Sequence, residues 1–188
     1  MHAYTPKSIQ TALKGGVKII EHAQLMDEPT AKMMAEKGAW FSSQAFIDNE
    51  YANPQAGANR EKQKKVQAGT DKSFELAKKY KLNVAWGTDI LFNPKMTKNQ
   101  GALLTTMTRW YSPADVLKMA TSTNASLLQL SGERSPYPGK LGVIEEGAFA
   151  DVLLVDGDPI SNIKLIAEPA KNLLVIMKDG VIYKNLIE

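Results

Sequence analysis

The sequence predicts an α/β fold followed by a small β-rich tail. Helix-forming and strand-forming stretches alternate over roughly the first 130 residues, the pattern of parallel βαβ units. After Gly139 the alternation gives way to short apolar runs divided by turn residues. A length of 188 residues allows one ordinary domain, or one domain with an appendage.

The elements follow in order. Thr5-Pro6 sets an N-cap ahead of proline at the first helical position, Ile9, Ala12 and Leu13 form a buried face, and Gly15-Gly16 stop the helix. Residues 17–20 read as a short strand ending at Glu21-His22. Asp27 caps a second helix with Met33 and Met34 on its buried side and Gly38 just past its end. Residues 40–44 read as another strand. Residues 45–59 hold Asn, Pro, Gly and acidic residues and read as a long loop, of the kind used for lids and binding. A long helix over about 60–80 carries Val66, Phe74, Ala77 and Tyr80 at helical spacing. The strand at 82–86 closes at Gly87-Thr88-Asp89. Ser112-Pro113-Ala114-Asp115 has the capping-box pattern, and helix continues through Leu127, Leu128 and Leu130 to Gly132. In the tail, residues 141–144, 150–155, 173–178 and 181–183 read as strands, and Asp179-Gly180 is a strong hairpin signal.

Composition narrows the chemistry. Lys plus Arg is 23 and Asp plus Glu is 20, a net charge of +3, too small for a nucleic-acid footprint. A 44% hydrophobic and 23% charged content is that of a globular chain. No apolar run approaches the ~18 residues of a membrane span. The N-terminus shows neither the basic stretch nor the apolar core of a signal peptide, and the chain reads as if it starts partway through a larger unit. That leaves the compartment unassigned. Without cysteine there is no disulfide framework, thiolate metal site or cysteine nucleophile. HExxH, HxH, P-loop, GxSxG and GxGxxG patterns are absent too. Histidine chemistry has only His2 and His22 to run through.

Three polar residues occupy equivalent places in separate units. His22 ends one strand, Asp89 follows another, and His2 stands where a strand before the first helix would end. In parallel α/β architectures the carboxyl ends of the strands face the ligand. Two imidazoles and a carboxylate there suit a divalent metal. Each also has a plainer reading: His2 as an exposed residue, His22 as a hydrogen-bonded strand-end histidine, Asp89 as a cap for the next turn. Tyr4 and Gln44 are the candidates for touching a substrate, and Trp40 and Trp86 read as core.

The segments His2-Ala3-Tyr4-Thr5-Pro6, Ile20-Glu21-His22, Trp86-Gly87-Thr88-Asp89 and the run from Lys140 to Pro159 together resemble the C-terminal half of the amidohydrolase superfamily. The branch they most resemble is that of imidazolonepropionase-like and Xaa-Pro dipeptidase-like metal-dependent hydrolases. The resemblance implies the C-terminal half of a (β/α)8 (TIM-type) barrel over residues 1–133, from the end of strand 5 to helix 8. A small β-sandwich segment would occupy 134–188. It further implies His2 and His22 as ligands of one divalent metal, the family's zinc, and Asp89 as ligand of another and proton shuttle. The substrate would be a small molecule with an amide, peptide or cyclic amide C–N bond. The strand-1 HxH pair and the strand-4 ligand of the family are missing, and strand 5 is expected to lack all but its last residue, leaving His2 without a strand. A half-barrel exposes an open parallel edge, so a partner is expected, either a second copy or a separate N-terminal half. The alternatives are a non-catalytic half-barrel that works by assembly, and a binding module with residues 45–59 as its lid.

Overall fold

A computed structural model describes residues 1–52, 54–91 and 93–187. It comprises two compact units, Met1–Met96 and Thr97–Glu188.

The first unit alternates strand and helix as β1 (His2–Ala3), α1 (Pro6–Lys14), β2 (Ile19–His22), α2 (Glu28–Glu36), β3 (Trp40–Ser43), α3 (Gly57–Lys79) and β4 (Asn83–Trp86). The helix starts obey local chemistry. Thr5 and Ser8 form a reciprocal capping box ahead of Pro6. The Asp27 side chain accepts from the Thr30 N–H at 3.0 Å. Ile9, Leu13 and Met34 are fully buried, as their spacing requires. The helix after the loop begins at Gly57, whose φ of 55° suits glycine, and the loop runs from 44 to 56. Asn53 of that loop lies outside the described residues. The loop start is pinned, because the Thr70 hydroxyl of α3 donates to the Phe46 carbonyl at 2.9 Å.

The four strands are parallel and lie in the order β1-β2-β3-β4. A doubly wound sheet would reverse its order at a switch point, and this one does not. Successive crossovers of one hand therefore stack the helices on one face, and α1 packs on α2 and α2 on α3. Ile20, Phe41 and Val84 pair across the sheet, and the Phe41 ring meets Phe74 of α3 at 5.3 Å. That row faces the helices. The alternate row, His2, Glu21, Ser42 and Ala85, faces away from them. The result is a singly wound parallel α/β sheet in which, among the described residues, β1 and β4 are the edge strands.

His2 does have a strand: His2 pairs with Glu21 and Ala3 with His22. Ala23 N–H donates to the Ala3 carbonyl and Leu25 N–H to the Tyr4 carbonyl, so the ladder extends past the strand's two residues.

The second unit opens with α4 (Gln100–Thr105), followed by α5 (Pro113–Lys118) and α6 (Asn124–Leu128), joined by a π-turn at Met119–Thr123. After α7 (Pro169–Asn172), the strands β5 (Val152–Val155), β6 (Leu173–Lys178) and β7 (Val181–Asn185) form one antiparallel sheet in the order β5-β6-β7. Asp179 and Gly180 both have positive φ, 49° and 75°, as a two-residue hairpin turn demands. The expected sandwich is thus a single sheet among the described residues. Residues 141–144 are not a strand and Lys140 makes only an isolated bridge to Ala148. The reason is local: Gly142 sits at φ 69° against the Thr121 backbone, where a Cβ would come within 2.5 Å.

Candidate functional site

The site builds on the C-terminal ends of β1, β2 and β3. His22 shares the pleat parity of Ile20, so regular backbone would send its ring toward the helices. Its φ is 80° and that of Ala23 is 52°, both left-handed at non-glycine residues. Such conformations persist only where surrounding structure fixes them. The consequence is that the His22 ring meets His2, which belongs to the opposite row. His2 Nδ1 and His22 Nε2 stand 2.7 Å apart.

The surroundings of His22 explain how this geometry is held. The ring is buried, at 4% exposure. Tyr4 stacks on it nearly parallel, with centroids 4.5 Å apart and planes 8° from coplanar. Phe46 lies beyond, at 6.2 Å. The His22 carbonyl accepts from the Ser43 hydroxyl at 2.9 Å, and Ser43 in turn accepts from the Gln24 amide at 3.3 Å. Gln24 is buried and its Oε1 has no hydrogen-bond partner among the described residues. His22 Nδ1 lies 3.0 Å from Gln44 Oε1. An amide oxygen only accepts, so this contact is a hydrogen bond only when Nδ1 carries the proton.

That arrangement tests the donor set. Two nitrogens from adjacent strands converge, and tetrahedral zinc with ~2.0–2.1 Å bonds would place them about 3.3 Å apart. At 2.7 Å they share a proton as N–H···N, and the same pair opened slightly offers two ligands. Catalytic zinc sites use three protein ligands. Among the described residues no three His, Cys, Asp or Glu side chains gather closely enough to hold a metal. The histidines fit as part of a metal site, and the set is incomplete.

Asp89 lies beyond β4, exposed, with φ 52°. It is not gathered with the histidines, yet its charge reaches Tyr4. Partial burial and the Asp89 carboxylate both push the Tyr4 phenol above its ordinary value of 10.0. Tyr4 therefore stays a hydrogen-bond donor throughout the neutral range. Of the five residues singled out from sequence, His2, Tyr4 and Gln44 each touch His22, and Asp89 acts on Tyr4 through charge. Ser43 and Gln24 escaped sequence reasoning, since buried polar residues behind a strand end carry no motif. The left-handed turn at His22-Ala23 escaped it as well, because glycine, its usual sign, is absent.

Comparison with known proteins gives these residues a context. An amidohydrolase family model matches residues 1–183. Ochratoxinase of Aspergillus niger is 30% identical over 189 residues, an alignment covering 98% of this chain and 37% of that protein. A prolidase solved with N-methylphosphonate-L-proline is 27% identical with a TM-score of 0.83, covering 98% of this chain and 44% of its own. A Xaa-Pro dipeptidase with methionine in its active site is 26% identical with a TM-score of 0.77, at 98% and 44% coverage. The chain thus spans less than half the length of these relatives. With residues 1–183 matched throughout by one family model, the chain belongs to the amidohydrolase family.

Proposed function

We propose that this chain carries part of the active site of a metal-dependent hydrolase that cleaves an amide, peptide or cyclic amide C–N bond. Amidohydrolases generally use divalent metals, and zinc suits the imidazole pair here. His2 Nδ1 and His22 Nε2 are the ligands the chain offers. A metal held there would supply Lewis acidity, able to polarise a scissile carbonyl and lower the pKa of water. Asp89 takes the proton of the attacking water on its carboxylate and delivers it to the leaving nitrogen. Tyr4, kept protonated beside Asp89, donates its O–H to the substrate oxygen that gains charge. The prolidase and dipeptidase relatives make Xaa-Pro dipeptides the first substrates to try.

The observation that supports this reading best is the convergence of two imidazole nitrogens from residues twenty apart at neighbouring strand ends. The remaining ligands would come from chain equivalent to the part of the relatives not spanned here, completing a barrel of which β1–β4 form an arc. The test measures zinc content and hydrolysis of Xaa-Pro dipeptides and N-acyl amino acids. It uses the chain alone and the chain combined with the part of the prolidase it does not cover. Zinc and activity in the combined sample support the reading, and absence of both from the combined sample rejects it.

A second reading, a non-catalytic half that works through assembly, draws on the tail sheet. Leu153 is 54% and Tyr183 72% exposed there, apolar surface that assembly would cover. Light scattering showing a soluble monomer without exposed apolar surface would reject it. Among the described residues no helix is long and apolar enough to cross a membrane.

A further inference from the structure

Gln44 addresses the back of the His22 ring. It follows β3 directly, is 6% exposed, and presents Oε1 to His22 Nδ1 at 3.0 Å. Its other end faces the stretch leading to Asp89, with Nε2 3.9 Å from the position a Cβ on Gly87 would take. The Gln44 carbonyl accepts from the Phe46 N–H at 2.9 Å, which fixes the turn that carries both residues. Phe46 and Tyr4 hold the plane of the His22 ring from its faces. An imidazole so clamped cannot swing its nitrogens away from Gln44 and His2.

We infer that Gln44 is a positioning residue, which locks His22 as the Nδ1–H tautomer and so aims the Nε2 lone pair at His2. A neutral imidazole has one N–H and one lone pair, and free side chains favour the proton on Nε2. In that form Nε2 would present hydrogen where a metal needs an electron pair, and Nδ1 would set a lone pair against the Gln44 oxygen. Acceptance by Oε1 reverses the preference. Sequence alone allots Gln44 to the substrate, whereas its Oε1 serves the histidine. The metal-facing consequence rests on the function proposed above, and the tautomer itself does not. Partners of this kind behind a ligating histidine alter metal affinity by ~10–100-fold when removed.

The experiment is long-range 1H–15N NMR of the uniformly labelled 188-residue chain at about pH 9, well above the ordinary imidazole range of ~6.5. With two histidines in the chain, assignment needs only His2→Ala. Wild-type His22 is expected as Nδ1–H. Gln44→Met, of similar length without an acceptor oxygen, is expected to shift it toward Nε2–H, and Gln44→Glu to restore Nδ1–H. Zinc affinity, read by competition with a chromophoric chelator, should fall ~10–100-fold in Gln44→Met and recover in Gln44→Glu. Wild-type His22 with its proton on Nε2 overturns the inference, as does a tautomer unmoved by Gln44→Met. Should Gln44→Met fail to fold, the wild-type tautomer and the Gln44→Glu spectrum still decide it. If no form binds zinc, the metal reading of the site falls while the tautomer assignment stands.

Discussion

Gly69→Ala sets two effects of known sign against each other. Gly69 lies in the middle of α3, and alanine there favours helix by about 1 kcal/mol. The added Cβ would lie 2.3 Å from the Gln24 carbonyl oxygen and 2.8 Å from Leu25 Cδ2. The first is 1.1 Å short of the 3.4 Å at which ordinary contact begins. Leu25 can rotate aside. The Gln24 backbone cannot retreat without dragging the left-handed His22-Ala23 pair two residues upstream. Overpacking against backbone costs about 3 kcal/mol, the upper part of the usual range, so the net loss is about 2 kcal/mol. Urea unfolding followed by circular dichroism should show the midpoint falling by about 1 M, taking an m-value of about 2 kcal/mol/M. The His22 ring resonances should shift in the folded state. A midpoint that is unchanged or raised would refute the reasoning, showing that α3 does not bear closely on the site.

Other consequences are simpler to state. Ser43→Ala strips the donor from the buried His22 carbonyl and the acceptor from Gln24, and should lower unfolding free energy by ~1–3 kcal/mol. A loss below ~0.5 kcal/mol in denaturant titration would contradict the network. Asp27→Ala should cost ~0.5–2 kcal/mol by uncapping α2, and Asp27→Asn should stay near wild type by the same measurement. Glu28 accepts from Lys79 and from Tyr80, and these bonds, the Lys79 one foremost, hold its carboxyl below the ordinary 4.5. A folded-state value below the unfolded one adds stability that is present above about 4.5 and is lost as pH falls through the folded value. Glu28→Gln should therefore be less stable than wild type at pH ~7 and indistinguishable from it in strong acid. A difference that persists at low pH would count against the pair.

The features legible in sequence were those written in local chemistry. The caps at Thr5-Pro6, Asp27 and Ser112-Pro113 announce their helices, because each side chain satisfies an N–H within three residues. Asp179-Gly180 announces its hairpin through its need for positive φ. A two-residue strand such as β1 has no periodicity to read, and only pairing with β2 reveals it. Residues 141–144 read as a short apolar strand, but Gly142 packs against the Thr121 backbone, a contact distant in sequence that overrides local preference. In the site, His2 and His22 were visible as the only imidazoles. Their meeting depends on a backbone turn that no residue type marks, and the role of Gln44 depends on which ring nitrogen it faces.

The central claim is that His2 Nδ1 and His22 Nε2 form one bidentate half of a metal centre. Zinc titration of the 15N-labelled chain, watched at all four imidazole nitrogens, tests it most directly. These two nitrogens should shift together along a single binding curve, while His22 Nδ1 keeps its proton. Separate curves for the two rings, or a response at His2 Nε2 in place of Nδ1, would contradict it.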